Sequence, residues 1–206
     1  MFTGIIEFLG EIKAIRKEGS NIHFDMWAPF PDPIQVDQSI AHDGVCLTVT
    51  HIQKQSPAEG AYYAVTAVEE TLDKTSLSHW NVGRLINIER CMKIGDRLDG
   101  HFVQGHVDTV GKVLEIQTRE GSWIYEIGFD QGFASLLVNK GSICVNGVSL
   151  TVIDARKDRF TLTIIPFTYT HTSFQSLVAG EMVNLEFDIL GKYILRMLET
   201  GNISKS

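Results

Sequence analysis

Alternating apolar and polar residues dominate the 206-residue sequence. In the segment GVCLTVTHI, Val45, Leu47 and Val49 share one face of an extended chain, while Cys46, Thr48 and Thr50 share the other. Alternation of this kind predicts half-buried β-strands. Similar β-rich runs, separated by turns rich in Gly, Pro and Asp, are GVSLTVIDA, AYYAVTAV, RLINIER, KVLEIQ, SWIYEIGF, RFTLTII and MVNLEFD.

The strand pattern occurs twice along the chain. The segment SIAHDGVCLTV (39–49) returns as SICVNGVSLTV (142–152), with Ser, Ile, Gly, Val, Leu, Thr and Val unchanged. Further matches follow the same order: FTGIIEFLGEI with VQGHVDTVGKV, TSL with TSF, and VGRLINIE with AGEMVNLE. Colinear matches of this kind indicate a tandem duplication. About six strands in each half predict an all-β chain with one small closed antiparallel barrel per half.

Helical patterns are few. GFASLLVNKG (132–141) predicts two turns that end at a glycine, and ETLDKTSL predicts one turn. GKYILRMLETG (191–201) predicts a C-terminal helix, which has no counterpart after the first half. Its apolar face consists of Tyr193, Ile194, Met197 and Leu198. This pattern leaves open whether the helix contacts another subunit or covers its own barrel.

Composition and charge narrow the possible partners. With 44% hydrophobic and 21% charged residues, the chain has the material for a globular core. A net charge of −7 without a basic run argues against a nucleic-acid partner. No apolar run is long enough to cross a membrane, and the first residues lack a basic leader, so we expect a cytoplasmic protein with no membrane contact. Cys46, Cys91 and Cys144 form no C-x-x-C pair, so neither a disulfide framework nor a zinc knuckle is indicated.

The sequence lacks the common cofactor motifs. It has no G-x-G-x-x-G, no P-loop and no G-x-S-x-G, which argues against a dinucleotide, a nucleoside triphosphate and an α/β-hydrolase nucleophile. His101 and His106, in GHFVQGHV, lie five residues apart and would converge on a metal only through a kink at Gly105, so we expect no metal site. They are either ordinary polar residues or groups for proton transfer. Their position at the junction of the two halves favours proton transfer, because ligands often bind at domain junctions.

Cys46 and Ser149 occupy the same place in the two copies, each two residues before a threonine of the same face, Thr48 or Thr151. The pattern alone favours simple packing and a solvated outer face. The alternative is a pocket lined in both copies by hydroxyl groups, with a thiol or hydroxyl that adds to an electrophilic carbon.

Seven motifs in order resemble the riboflavin synthase family, from Met1 to about Leu198. They are MFTGIIE, DGVCLTVT, ETLDKTSL, GHFVQGHVDTVG, KGSICVNGVSLTV, IPFTYTHTSF, and VNLEFD followed by KYILRML. The resemblance implies two tandem six-stranded antiparallel Greek-key barrels with a C-terminal α-helix. The implied limits are 1–97 and 98–189 for the two lumazine-binding barrels and 190–206 for the helix and tail.

The resemblance also implies an activity and an assembly. Two molecules of 6,7-dimethyl-8-ribityllumazine would exchange a four-carbon unit without a cofactor, giving riboflavin and 5-amino-6-ribitylamino-2,4-pyrimidinedione. Such a transferase would be a homotrimer with each active site between barrels of neighbouring subunits. Lumazine synthase is a candidate partner, and the sequence does not decide that association.

Site residues follow from the matched motifs. For catalysis they are His106 for proton transfer, Cys46 or Ser149 for addition to the lumazine, and His101 and Asp188. For substrate binding they are Phe2, Gly4, Ser39, Thr48, Glu70, Thr71, Lys140, Asn146, Thr151, Ile165 and Thr168. Three residues depart from the family pattern: Asp43 and Asn146 stand exchanged between the halves, and Phe167 replaces a usually polar neighbour of Thr168.

Three other functions fit parts of the sequence. A non-catalytic lumazine-binding protein would share the barrels, but such proteins tend to lose motif residues in one half, and both halves keep G-V-[CS]-L-T-V here. A flavin-dependent reductase would carry an R-x-Y-[ST] motif and a nucleotide-binding domain, and neither is visible. A purely structural repeat would make the catalytic-looking residues incidental. The sequence therefore favours the enzyme.

Overall fold

Two closed antiparallel barrels make up a computed structural model of the chain, which describes residues 1–201. The first barrel contains β1 (Phe8–Glu18), β2 (Asn21–Ala28), β3 (Ser39–His42), β4 (Val45–Ser56), β5 (Gly60–Ala67) and β6 (Leu85–Arg90). The second contains β7 (Thr109–Arg119), β8 (Ser122–Gly128), β9 (Ser142–Val145), β10 (Val148–Ala155), β11 (Arg159–Ile164) and β12 (Met182–Phe187).

The strand order is the same in both barrels. In the first, β1-β2-β5-β4-β3-β6 closes where β6 pairs with β1, and in the second β7-β8-β11-β10-β9-β12 closes where β12 pairs with β7. Every pairing is antiparallel in the described chain. The predicted fold class, two tandem six-stranded barrels from one duplicated unit, is confirmed.

Side-chain alternation places the barrel cores as the sequence predicts. In β4, Val45, Leu47 and Val49 are at most 4% exposed and belong to the core of the first barrel. Cys46 and Thr48 point to the outer face, where they are half-buried and exposed respectively. Because the side-chain period of a strand is two, this register fixes which residues a ligand on the outer face can reach.

Two tight turns pack against each other between the barrels. Asp43 and Gly44 join β3 to β4 with φ angles of 44° and 79°, and Asn146 and Gly147 join β9 to β10 with 46° and 81°. These are the left-handed angles of a type I′ hairpin turn, which Asn-Gly and Asp-Gly favour. A Cβ on Gly44 would lie 2.6 Å from the backbone nitrogen of Gly147, so the contact requires glycine.

Helices are short except at the C-terminus. They are α1 (Glu69–Lys74), α2 (Pro166–His171) and α3 (Ile189–Glu199). The sequence pattern missed α2, which begins with Pro166 at its first position. None of the described helices is long and apolar enough to cross a membrane.

The helix predicted over 132–141 is wrong in extent. A 3₁₀ turn spans Gln131–Leu136, capped by the Asp130 carboxylate, and the chain then becomes extended. It cannot continue as a helix because the Lys140 N–H donates to the Val152 carbonyl at 2.8 Å, which aligns this segment with β10.

The C-terminal helix, α3, begins two residues earlier than predicted, where the Asp188 carboxylate accepts the Leu190 N–H at 3.0 Å. Its apolar face stays open in the described chain: Tyr193, Ile194 and Leu198 are 66%, 55% and 50% exposed. A groove of about 320 Å³ separates α3 from the 3₁₀ turn of its own barrel. The tail predicted after the helix, residues 202–206, lies outside the described residues.

Candidate active site

Two corresponding segments, 1–7 and 101–107, pair with each other and then cross between the barrels. Phe2 and Val103 form a β-bridge, with N–H to carbonyl distances of 2.7 and 3.1 Å. Beyond the bridge, the Gly4 carbonyl accepts the Ser149 N–H at 2.8 Å, and the Gly105 carbonyl accepts the Cys46 N–H at 2.9 Å. Each segment therefore ends on the strand of the opposite barrel that carries a candidate nucleophile.

The close approach of these segments depends on glycine. Gly4 and Gly105 have φ angles of 76° and 77°, which L side chains rarely adopt. A Cβ on either would lie 2.6 Å from the Cβ of Ser149 or Cys46. Gly105 supplies the kink that the sequence required between His101 and His106. Among residues 1–201, however, no cluster of three His, Cys, Asp or Glu could hold a metal.

Two buried carboxylates hold the crossing segments. Glu89 accepts the Thr3 N–H at 2.6 Å and the Gly4 N–H at 3.0 Å, and Glu186 accepts the N–H groups of Gln104 and His106 at 2.6 and 2.8 Å. Burial raises the pKa of both carboxyls, and these hydrogen bonds oppose the rise. Neither glutamate is among the residues predicted from the sequence, although the repeated Asn-x-Glu of INIE and VNLE is a signal that could have indicated them.

The C-terminal barrel pairs a serine with a histidine. His101 is 8% exposed, and its Nδ1 lies 2.6 Å from the Ser149 hydroxyl at the start of β10. Burial lowers the pKa of His101, although the nearby Asp188 carboxylate raises it. When the neutral imidazole carries its proton on Nε2, the Ser149 hydroxyl donates a hydrogen bond to Nδ1. The structure thus brings together three of the five predicted catalytic residues.

The N-terminal barrel carries a thiol at the corresponding place. Burial raises the pKa of Cys46, while a hydrogen bond with Ser39 opposes the rise. The thiol therefore stays protonated near neutral pH and is a poor nucleophile. Thr48 lies exposed beside it on the same face of β4.

Most of the other predicted residues lie at the surface. Thr151 and Lys140 are exposed, Ile165 is 57% exposed, and Thr168 is half-buried on α2. On α1, Glu70 forms an ion pair with Lys74 at 3.0 Å, and Thr71 is half-buried. His106 is exposed, with its backbone held by Glu186. These side chains are accessible to a ligand on the outer faces.

Three predicted substrate contacts are buried instead. Phe2 is 0% exposed and packs with Ala41, Val103 and Cys144. Asn146 is 1% exposed, and its Oδ1 accepts the Asn184 N–H at 2.7 Å. Gly4 is buried against Ser149. These residues help to build the junction between the barrels, and their contact with a ligand stays a prediction.

Comparison with known proteins identifies the family. A lumazine binding domain family model matches residues 3–91 and 104–188, once in each barrel. The riboflavin synthase of Bacillus subtilis (strain 168) is 36% identical over 207 residues, covering 100% of this chain and 94% of that protein. The chain belongs to the riboflavin synthase family. A second relative, the riboflavin synthase of Photobacterium phosphoreum, is 37% identical and covers 96% of this chain and 89% of its own length.

Solved structures agree with this riboflavin synthase fold. LumP complexed with 6,7-dimethyl-8-(1'-D-ribityl) lumazine superposes with a TM-score of 0.77 at 20% identity, covering 91% of this chain and 99% of that one. LumP complexed with riboflavin gives 0.78 at 22% identity with the same coverage. At these identities the likeness shows the fold alone. The predicted function, riboflavin synthase, and the predicted enzyme class, a transferase, are confirmed by the family.

Proposed function

We propose that this riboflavin synthase binds one 6,7-dimethyl-8-ribityllumazine on the outer face of each barrel and transfers a four-carbon unit between them. The observation that carries the proposal is the repeated outer-face site at the start of β4 and β10. There Cys46 and Ser149 each donate a backbone N–H to a glycine carbonyl of a crossing segment. Lumazine and riboflavin bound to LumP in its structures support ligands of this shape on this fold.

In the C-terminal barrel, Ser149 is the nucleophile. Its oxygen forms a bond to C7 of one lumazine, its proton passes to Nδ1 of His101, and the conjugated pteridine ring takes the electron pair. The 2.6 Å contact between Ser149 and His101 and the lowered pKa of His101 support this assignment. Asp188 lies close enough to His101 to stabilise the imidazolium that forms.

The N-terminal barrel holds the second lumazine without forming a bond to it. Cys46 and Thr48 contact the ring, and the exposed His106 removes a proton from the C7 methyl group. The resulting carbanion attacks the first lumazine. Loss of a proton from the C7 methyl group of that lumazine then expels the Ser149 oxygen, which takes its proton back from His101, so the C7–O bond is broken again and the enzyme is restored. Riboflavin and the pyrimidinedione together contain all atoms of the two substrates, so no oxidant, reductant or cofactor is required. Holding both reactants in place replaces a slow encounter of dilute solutes.

The two lumazines meet across a subunit boundary in this proposal. Within one chain, the crossing segments 1–7 and 101–107 lie between Cys46 and Ser149, which supports a site in which a neighbouring subunit supplies the facing barrel. The exposed apolar face of α3 supports its use as the contact of a homotrimer. The division at residues 97 and 189, the cytoplasmic location and an association with lumazine synthase remain part of this proposal.

Turnover of the purified chain tests the activity. Dimethylribityllumazine should convert to riboflavin without any added cofactor, followed by flavin absorbance. Lumazine fluorescence that persists, with no flavin formed, would identify a binding protein instead. Ser149→Ala should lower kcat by about 10²-fold or more. Cys46→Ser, which makes both copies alike, is the matched control and should retain most of the activity; a comparable loss in it contradicts the assigned roles.

A further inference from the structure

Two buried asparagines in corresponding strands reach from each barrel into the other. Asn87 in β6 and Asn184 in β12 are both 1% exposed. The Asn87 side chain donates to the Asn146 carbonyl at 2.8 Å and to the Ser173 hydroxyl at 2.9 Å, and it accepts the Ser173 N–H at 2.7 Å. All three partner groups belong to the second barrel.

Asn184 does the same in the opposite direction. Its Nδ2 donates to the Asp43 carbonyl at 2.9 Å, and its Oδ1 accepts the Ser76 N–H at 2.7 Å. Both partner groups belong to the first barrel. Each amide thus holds two points of the opposite barrel, the tight turn between strands and a serine after a short helix.

The two serines fix the ends of α1 and α2. Ser76 is the second residue after α1, and Ser173 is the second after α2. Neither helix contains a fully buried residue, and each has only six residues. Helices this short are unstable without tertiary contacts, so the position of each depends on what holds its end. Thr71 of α1, and Thr168 of α2 with the preceding Ile165, are among the substrate contacts that the family motifs predict.

We propose that Asn87 and Asn184 are positioning residues, each of which braces the ligand-contacting helix of the opposite barrel. Asn87 braces α2, and Asn184 braces α1. The inference rests on the proposed function only in that α1 and α2 contact lumazine. Part of the support for each helix therefore lies in the other barrel.

The two braces differ by one hydrogen bond. Asn87 bonds both the backbone and the hydroxyl of Ser173. The Ser76 hydroxyl, at the corresponding place, is buried without a partner in the described part of the chain. Ser173→Ala and Ser76→Ala are therefore a matched pair of mild variants, since only the first removes a hydrogen bond from a brace.

Hydrogen exchange on the full-length protein tests the crossed pattern. Without substrate, Asn87→Ala should speed amide exchange in 166–175 by about ten-fold and leave 69–79 nearly unchanged, and Asn184→Ala should do the reverse. Ser173→Ala should speed exchange in 166–175 by a few-fold, while Ser76→Ala should change neither segment. Equal acceleration in both segments, or acceleration only in the variant's own barrel, overturns the inference. These mild variants decide the matter if the asparagine variants fail to fold.

Kinetics separate positioning from structural support. Measured well below the unfolding temperature, Asn87→Ala and Ser173→Ala should raise KM for lumazine several-fold, whereas Ser76→Ala should not. If exchange is faster in the opposite barrel but KM is unchanged, the asparagines have only a structural role, and the positioning role is overturned. Failure of the proposed function would be recognised differently, as a wild-type protein that forms no riboflavin, and the exchange pattern would still decide the bracing.

Discussion

At the scale of single residues, the two tight turns differ in one group. Asp43 and Asn146 hold the same position, and each uses Oδ1 to accept the backbone N–H of an asparagine, at 2.7 Å in both. The second polar atom of each, Oδ2 of Asp43 and Nδ2 of Asn146, is buried without a hydrogen bond among the described residues. Burial raises the pKa of Asp43 from 3.8 to about 7, although Arg84 opposes the rise. The turn thus contains a carboxyl group that is costly to ionise.

Asp43→Asn should stabilise the protein at alkaline pH. Because the folded-state pKa lies above the unfolded one, wild-type stability falls as pH rises from about 4 to about 7 and stays low above that. The variant lacks this loss, so its advantage should grow to at most about 4 kcal/mol at pH 8 and vanish near pH 4. Urea unfolding at several pH values measures it. Asn146→Asp, the mirror control, should introduce the same loss; a pH-independent difference would contradict the argument.

His42, next along the chain, has the opposite effect. It is fully buried between the Tyr63 hydroxyl at 2.9 Å and the Ile40 carbonyl at 3.0 Å. Burial lowers the pKa of His42 from 6.5 to about 4. Below pH 6.5 the imidazole of His42 is protonated in the unfolded chain but stays neutral in the folded chain. This residue therefore lowers the free energy of unfolding as the pH falls towards 4.

His42→Gln should therefore remove a pH dependence with the sign opposite to that of Asp43. Relative to wild type, the variant should gain up to about 3 kcal/mol between pH 6.5 and pH 4, whatever its absolute stability. The measurement is the slope of unfolding free energy against pH. Between pH 4 and 6.5 the effects of His42 and Asp43 on the wild-type unfolding free energy nearly cancel. If the variant and the wild type had the same slope, His42 would have to be protonated in the folded protein as well.

At the scale of elements, α1 and α2 occupy corresponding places with different surfaces. In α1, Glu70 and Lys74 form an ion pair one turn apart. In α2, Phe167 and His171 take the same two positions and stack with ring centroids 4.1 Å apart. Phe167 remains 69% exposed. An open aromatic face beside Ile165 and Thr168 suits a flat heteroaromatic ligand, and the first barrel lacks one.

Exchanging this pair should weaken binding in the C-terminal barrel. The double variant Phe167→Glu and His171→Lys copies α1 and should raise KM for lumazine about five-fold or more, because a stacking contact worth about 1 kcal/mol is lost. The melting temperature should hardly change, since both side chains are at the surface. Glu70→Phe with Lys74→His is the reciprocal control in α1. An unaltered KM in the first variant would place Phe167 outside the substrate site.

At the scale of the whole molecule, the active site depends on how chains associate. The nucleophile face of the second barrel and the binding face of the first are proposed to meet only between neighbouring subunits. Such a site can be rebuilt from two defective chains, because each can contribute its intact barrel.

Mixing two inactive variants tests the shared site. Ser149→Ala disables the second barrel, and Thr48→Arg should block the outer face of the first. Each variant alone should form almost no riboflavin. When the two chains are coexpressed in equal amounts, half of the first barrels and half of the second barrels are intact. If subunits associate at random, roughly a quarter of the interfaces join two intact barrels, so roughly a quarter of wild-type activity should return. Activity is measured on the coexpressed protein against each variant alone, with sedimentation to establish the trimer. Mixtures as inactive as their components would place both halves of the site in one chain.

The sequence by itself determined the repeated architecture. Period-two alternation set the core faces of β4 and β10, and the duplicated Gly-Val-x-Leu-Thr-Val strand indicated two barrels of one kind. Both signals are local, because every second side chain of a strand points to the same face. The candidate nucleophiles, Cys46 and Ser149, followed from the same alignment and motifs.

Only the tertiary structure decided which residues act together. The contact of His101 with Ser149, the hold of Glu89 and Glu186 on the crossing segments, and the reach of Asn87 and Asn184 into the opposite barrel all join residues far apart in the chain. The tertiary structure also showed that Phe2 and Asn146 are buried at the junction between the barrels. The periodicity of the sequence cannot predict these contacts, because they form where the two closed barrels meet and not within one strand.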